Sequence, residues 1–196
     1  LVYDGTTQAV MMASPTDLED FAVGFSLTER IVAARAEIET LDVVPQAGDG
    51  VEVRMWLSGE RTAALRTRRR MMAGPVGCGL CGIDSLGEAL RPVPAVAGNV
   101  RLAMADVGAA VAGLSSRQPL HDRTHAVHAA ALYRPGAGIV AAREDVGRHN
   151  ALDKLIGALA RDGRDAAGGA LVLSSRVSVD MVQKAAIAGA AMLIAV

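Results

Sequence analysis

The spacing of hydrophobic positions changes along this chain, and the change predicts a mixed α/β fold. Residues 16–33 carry apolar side chains near one face of a helix, and Thr16 with Glu19 forms an expected capping box at its start. Residues 51–57 instead alternate between apolar and polar side chains, as a half-buried strand does. Both elements precede the break at Ala73-Gly74-Pro75. We therefore expect a small α+β domain at 1–72 and a second domain at 73–196.

The second domain is predicted to contain a mixed sheet. Short helices are expected at 83–90 and 102–114, followed by a hairpin of two strands at 126–133 and 139–143. The remaining elements alternate in type: helix 150–160, strand 170–173, helix 178–188 and strand 191–196. This strand–helix alternation predicts a parallel portion with right-handed crossovers.

Two predicted strands end in polar loops, which we call the strand-end loops, at 144–150 and 174–178. In open α/β sheets, ligands bind beyond the carboxyl ends of strands, beside the following helix N-termini. The loops, with two lysines on the helices behind them, suit an anionic ligand such as a nucleotide. The alternative is that Asn150 and Ser178 merely cap helices. The candidate ligand residues are Asp145, Arg148, His149, Asn150, Lys154, Ser174, Ser175, Arg176 and Lys184.

Composition narrows the classes of partner. Lys+Arg is 20 and Asp+Glu is 21, which argues against bulk electrostatic binding to nucleic acid or membrane. Aromatic residues are only 3% of the chain, which argues against base-stacking platforms. No apolar run reaches the ~20 residues of a membrane span. We expect a soluble cytoplasmic protein whose sequence, beginning at Leu1 and stopping in an apolar run, is trimmed at both ends.

The two cysteines, Cys78 and Cys81, form one Cys-x-x-Cys pair in a Gly-rich segment. Zinc would need two further ligands, and no second cysteine pair supplies them. A dithiol redox pair would be expected between a strand and a long helix, and a buried inert pair would not be surrounded by glycines. The arginines at 61–70 could lower a thiol pKa, since cations favour the thiolate. The segment therefore favours sulfur transfer and predicts no metal site.

Several motifs resemble those of the formate dehydrogenase accessory sulfurtransferases, the FdhD/NarQ family. They occur in the family's order along nearly the whole chain, so the resemblance is far more specific than a lone cysteine pair. The matching runs are Ser-Pro-Thr-Asp-Leu-Glu-Asp-Phe-Ala-Val-Gly-Phe at 14–25, Gly-Cys-Gly-Leu-Cys-Gly at 77–82, Arg-Glu-Asp-Val-Gly-Arg-His-Asn-Ala-Leu-Asp-Lys at 143–154, Ser-Ser-Arg-Val-Ser at 174–178 and Met-Val-Gln-Lys at 181–184.

The resemblance implies a function. Family members accept persulfide sulfur from a cysteine desulfurase and pass it to the molybdenum (or tungsten) bis-guanine-dinucleotide cofactor before its insertion into formate dehydrogenase. It implies that Cys78 carries the persulfide, that Cys81 assists, and that the chain forms a homodimer. It also implies a cytidine-deaminase-like three-layer fold at 73–196, preceded by a small α+β domain. A non-catalytic cofactor chaperone and a dithiol redox enzyme remain as alternatives.

Two comparisons with related proteins qualify this picture. A zinc deaminase needs His-x-Glu and Pro-Cys-x-x-Cys at two helix starts, whereas this chain has His149-Asn150-Ala151 and Ser175-Arg176-Val177 there. The fold is therefore expected to keep the nucleotide-sized cleft without the metal. The FdhD/NarQ family usually has Gly where His125 stands, and it continues past Val196 into a segment with a cofactor-binding loop.

Overall fold

A computed structural model describes residues 1–48, 50–59, 61–62 and 92–196. Its N-terminal part is a four-stranded sheet covered by one helix. The elements are β1 (Val2–Tyr3), β2 (Thr6–Thr7), α1 (Leu18–Thr28), a 3₁₀ turn (Arg35–Glu37), β3 (Ile38–Pro45) and β4 (Val51–Leu57). The strand order is β2-β1-β4-β3, in which only the β1–β4 pair is parallel. The apolar face of α1 packs on this sheet through Ala22 and Val23 against Tyr3, Val53 and Met55.

The C-terminal part is a second mixed sheet. Its elements are α2 (Met104–Ser115), α3 (Pro119–Thr124), β5 (His128–Arg134), β6 (Gly138–Asp145), α4 (Arg148–Arg161), β7 (Ala170–Leu173), α5 (Val179–Ile187) and β8 (Leu193–Ala195). The strand order is β6-β5-β7-β8. Strand β5 is antiparallel to both β6 and β7, and β7 is parallel to β8. Strands β6, β7 and β8 therefore point the same way.

Helices cover both faces of the second sheet because alternate side chains of each strand point to opposite faces. On β7, Leu171 and Leu173 belong to the cluster packed with α4 and α5. Val172, between them, belongs to the cluster on the α2 side. Three layers result, with α2 on one face and α4 with α5 on the other.

Helices α1 and α4 join the two parts of the molecule. They approach so closely that a Cβ built on Gly24 would lie 1.7 Å from the carbonyl oxygen of Asp153. A Cβ on Gly157 would lie 1.8 Å from the carbonyl oxygen of Asp20. At the same interface the Arg161 guanidinium pairs with Asp20 and Glu19. The two parts are therefore held in one fixed relation by backbone packed on backbone.

Most predicted elements are confirmed, with bounds shifted by a few residues. The hairpin, the mixed sheet and the helices of the C-terminal part are where the pattern placed them. The capping box of Thr16 and Glu19 is wrong. Helix α1 begins at Leu18, and the residue before it, Asp17, has φ 52 and makes no side-chain cap. The proposed boundary at 72/73, the short helix at 83–90 and both cysteines lie outside the described residues.

Candidate anion site at the strand ends

The strand-end loops lie together at one edge of the second sheet. Strand β6 ends at Asp145 and β7 ends at Leu173, and because both run antiparallel to β5, their ends share an edge. The Ala129 N–H at the start of β5 donates to Ser174 Oγ at 2.8 Å, which fixes the second loop. His149 Nε2 and Ser178 Oγ are 3.2 Å apart and join the loops directly.

Arg148 lies at the N-terminus of α4, within the first loop. Its Nε is buried and has no hydrogen-bond partner. A buried guanidinium N–H without an acceptor is costly, and a bound anion would supply the missing acceptor. The first backbone N–H groups of α4 add to the same positive potential.

Two histidines, His128 and His149, lie close enough to Arg148 for its charge to lower their pKa values. Burial lowers the pKa of His149, and the charges of Arg148 and Lys184 lower it further. Burial also lowers the pKa of His128, again with help from Arg148. His128 is opposite Asp145 in the β5–β6 register, so it belongs to the same edge of the sheet. Arg148, His128 and His149 together form a cluster of nitrogen donors around one guanidinium charge, which we call the Arg148 cluster.

Asp145 and Lys154 form a fully buried ion pair beneath this cluster. Lys154 Nζ lies 2.6 Å from Asp145 Oδ2, and both side chains have 0% exposure. The same ammonium donates to the carbonyl oxygens of Ser14 at 3.0 Å and Glu144 at 3.3 Å. All three of its N–H groups are thus used inside the protein. The surroundings of Lys154 make it a support of the loop rather than a free cation.

The other oxygen contacts of Asp145 shape the first loop. Its Oδ1 accepts the Gly147 N–H at 2.8 Å and the Asn150 amide at 3.0 Å. Its Oδ2 accepts the Ser14 N–H at 2.9 Å. Asn150 also donates to the Met12 carbonyl oxygen at 2.8 Å. Asp145 and Asn150 therefore hold the loop and the segment around Ser14 together.

Lys184 forms a second buried ion pair at the junction of three helices. Its Nζ lies 2.7 Å and 2.9 Å from the Asp153 carboxylate oxygens, 3.1 Å from Thr28 Oγ1 and 3.2 Å from Glu29 Oε1. Burial opposes the charge, but the Asp153 and Glu29 carboxylates outweigh it and raise the pKa of Lys184. This lysine joins α5 to α4 and α1.

The second strand-end loop is less constrained. Ser174 Oγ accepts from Ala129, and the Ser175 hydroxyl donates to the Arg176 carbonyl oxygen at 3.3 Å. The Arg176 side chain is exposed. Of the predicted ligand residues, Arg148 has an unpartnered Nε, Arg176 is exposed, and His149 Nε2 lies 3.2 Å from Ser178 Oγ and 3.9 Å from Asp180 Oδ2.

Three residues of this region were not among the candidate ligand residues: Ser14, His128 and Glu144. Ser14 donates from its backbone to Asp145 and accepts the Val146 N–H on its hydroxyl at 3.0 Å. Glu144 accepts the N–H groups of Leu120 and His121, both at 2.8 Å, at the start of α3. In the sequence, Ser14 stood out only as the first residue of the motif at 14–25. Among the described residues, no group of three His, Cys, Asp or Glu side chains is arranged to hold a metal.

Comparison with known proteins settles the family. The model of the FdhD/NarQ family matches residues 1–196. The chain belongs to this family. It is 53% identical over 201 residues to the sulfur carrier protein FdhD of Agrobacterium fabrum, covering 99% of this chain and 72% of that one. It is 55% identical over 195 residues to the protein of the same name from Brucella abortus, with the same coverage of 99% and 72%.

A solved structure has the same fold. It is the crystal structure of a formate dehydrogenase accessory protein from Desulfotalea psychrophila, with a TM-score of 0.70 and 23% identity. The match covers 99% of this chain and 70% of that chain. The mixed α/β architecture is therefore shared with that protein. Among the described residues, no helix is long and apolar enough to cross a membrane.

Proposed function

We propose that this protein is a sulfur carrier that supports formate dehydrogenase. The observation that carries the proposal is its 53% and 55% identity, along nearly the whole chain, to relatives named sulfur carrier protein FdhD. Cys78 takes up sulfur from a cysteine desulfurase as a persulfide. It then passes the sulfur to the molybdenum or tungsten bis-guanine-dinucleotide cofactor, its acceptor substrate.

The first step is a thiol–persulfide exchange. The Cys78 thiolate attacks the outer sulfur of the donor's cysteine persulfide. The sulfur–sulfur bond in the donor breaks, the donor cysteine leaves as a thiolate, and Cys78 becomes the persulfide. No external oxidant or reductant is needed, because one such bond forms as the other breaks. We assign Cys81 as the assisting thiol.

The Arg148 cluster is proposed to bind the phosphates of the acceptor. Arg148 supplies an unpaired guanidinium N–H, His149 supplies a ring N–H, and α4 supplies its N-terminal N–H groups. Exposed Arg176 would reach the same ligand from the second loop. Lys154, Asp145 and Asn150 position the first loop, while Lys184 fixes α5 behind the second.

Other parts of the proposal follow from the family. The C-terminal part would be a cytidine-deaminase-like domain that begins near residue 73, and the chain would act as a homodimer in the cytoplasm.

Mass spectrometry tests the sulfur-carrier function. The protein is incubated with a cysteine desulfurase and cysteine, and the mass of the peptide that carries Cys78 is measured. A gain of one sulfur on Cys78 is expected, with loss of the adduct in Cys78→Ala. Absence of a persulfide on both cysteines would overturn the proposal.

A cofactor chaperone is the second candidate, because the Arg148 cluster could bind a nucleotide without any cysteine chemistry. The two functions differ in their need for Cys78. If Cys78→Ala supports formate dehydrogenase activity as well as the unchanged protein does, the chaperone function is correct. If activity is lost while guanosine diphosphate still binds, sulfur transfer is correct.

A further inference from the structure

A concave surface lies toward the opposite end of α4 from the Arg148 cluster. This groove encloses about 350 Å³ between α1, α4 and α5, and we call it the arginine groove. Its apolar lining includes Leu27, Ile156, Leu159 and Ile187. Ile156 and Leu159 follow Arg148 on α4 by eight and eleven residues, so at ~1.5 Å per residue they are roughly 12–16 Å away along the helix.

The rim of the groove is cationic. Among the described residues, Arg30, Arg61 and Arg164 line it together with one carboxylate, that of Asp165. Asp165 Oδ1 is 3.6 Å from the guanidinium of Arg134. Arg61 pairs with Glu37 at 2.8 Å. The side chain of Arg164 is exposed, and no carboxylate in the described part of the chain pairs with it. The groove therefore has an apolar floor and a net positive rim.

The groove also lies beside both flanks of residues 63–91, the stretch of sequence that carries the two cysteines. Arg61 lines the groove just before that stretch. Pro92 follows it, and its carbonyl oxygen accepts a hydrogen bond at 2.7 Å from Arg30, another rim residue. The Arg148 cluster has no such link to either flank among the described contacts.

We propose that the arginine groove is the docking site of the sulfur donor, a step that rests on the sulfur-carrier function. The occupant is a segment of the desulfurase that carries one or two aliphatic or aromatic anchors beside carboxylates. Apolar anchors suit the floor, since buried anchors supply most binding energy at protein interfaces. Carboxylates suit the arginine rim, which would steer the encounter and fix its register.

Two separated sites make this arrangement useful. The donor would bind at the flanks of the cysteine segment, while the cofactor phosphates would occupy the strand ends. Neither ligand would then have to leave before the other arrives, so the carrier could be loaded with its acceptor already bound.

Binding measurements with Arg164→Glu test the proposal. The full chain is titrated with the purified cysteine desulfurase encoded in the same genome, at low and at high salt, and guanosine diphosphate is titrated separately. Arg164→Glu should weaken the desulfurase roughly tenfold at low salt and less at high salt. Arg164→Lys should restore most of the affinity. Arg117→Glu, an exposed arginine at the end of α2, is the matched control and should change it less than about twofold.

The outcomes separate this proposal from the sulfur-carrier function. If Arg164→Glu binds the desulfurase as tightly as Arg117→Glu does, or if the unchanged protein does not bind it, the groove proposal is overturned. A change in the protein's own oligomeric state with Arg164→Glu would also overturn it, by making the groove a contact between copies. The function itself fails only if the unchanged protein gains no persulfide from the desulfurase. Unchanged binding of guanosine diphosphate shows that Arg164→Glu is folded.

Discussion

Gly24 on α1 and Gly157 on α4 lie against each other's backbone, so that neither position has room for a methyl group. The hypothetical Cβ atoms would lie 1.7 Å and 1.8 Å from carbonyl oxygens of the opposite helix. The same crossing brings Thr28 Oγ1 within 2.7 Å of Asp153 Oδ1. This contact sets the distance between the two sheets and the position of α4, whose N-terminus carries Arg148.

Gly24→Ala and Gly157→Ala should each destabilise the protein strongly. An added methyl group forces the helices apart, and overpacking of this severity costs about 3 kcal/mol or more. Urea denaturation measures the loss in free energy of unfolding. Gly108→Ala is the matched control, because Gly108 lies in α2 with nothing within 4 Å of its Cβ position, and it should gain up to about 1 kcal/mol. Equal effects at Gly24 and Gly108 would contradict the close approach.

Lys154→Met should show that this lysine supports the fold. The substitution leaves the Asp145 carboxylate buried without its ammonium partner, which costs about 3–5 kcal/mol. Arg54→Met is the control: its pair with Glu52 is 40% and 39% exposed, so the change should stay below about 1 kcal/mol. Chemical denaturation compares the two. If both variants lose less than about 1 kcal/mol of unfolding free energy, Lys154 does not support the fold and is available to bind a ligand.

Arg148→Gln should weaken guanosine diphosphate binding while leaving the fold intact. Loss of a charge-assisted contact to phosphate costs about 1.5–3 kcal/mol, or roughly tenfold to a hundredfold in affinity. Stability should not fall, because the buried Arg148 Nε has no partner to lose. Calorimetric titration gives the affinity and a thermal melt gives the stability. Arg117→Gln is the reference variant. If Arg148→Gln binds guanosine diphosphate as tightly as Arg117→Gln does, Arg148 does not contact the phosphates.

The stability of the protein should fall as the pH drops below about 6.5, partly through His149. Burial and Arg148 lower the pKa of His149 in the folded state below its value in the unfolded chain. Between those two pKa values the unfolded chain binds more protons, so protonation favours unfolding as the pH falls through that window. His149→Gln removes this contribution. It should therefore lose less free energy of unfolding than the unchanged protein between pH 7.5 and 5.5.

The control for this pH effect is His125→Gln, which removes a histidine with an exposed side chain. Denaturation curves of both variants are measured at each pH, so that His149→Gln is compared with the loss of a histidine from outside the Arg148 cluster. If His149→Gln and His125→Gln give the same slope, His149 is not a titrating group of the Arg148 cluster.

His125→Gly should stabilise the protein. His125 ends α3 with φ 50, a left-handed backbone that costs L residues energy and that Gly adopts freely. A gain of about 0.5–1 kcal/mol is expected, reduced by loss of the ring contact with His121 at 5.3 Å. Ala126→Gly, one residue on and without a positive φ, should destabilise instead. Thermal melts that rank the two variants the other way would contradict this.

The hydrophobic pattern of the sequence predicted those strands whose side chains either alternate between buried and exposed or are all buried. Strands β4 and β7 were predicted at their observed bounds, because β4 alternates and β7 is a short, wholly buried run. Strand β3 was not predicted, since five of its eight residues are exposed and its pairing with β4 defines it. Such a strand has little pattern of its own to detect.

The candidate site was predicted by residue type but not by role. The motif at 143–154 contains Arg148 and Lys154, two cations that look equivalent along the sequence. Their difference is tertiary: Lys154 is enclosed by Asp145 and the Ser14 carbonyl, whereas the Arg148 Nε is buried with no acceptor. The contacts of Ser14 with Asp145 and Lys154 could not be predicted from local sequence pattern, because these residues are 131 and 140 positions away.

The hydrogen bonds of Ser14 make the geometry of the strand-end loops depend on both parts of the molecule. They join residues 131 and 140 positions apart, across both parts of the molecule. Closing so long a loop has an entropic cost that comes before any contact repays it, so such contacts form late. We therefore expect binding of guanosine diphosphate to require that both parts of the molecule are folded.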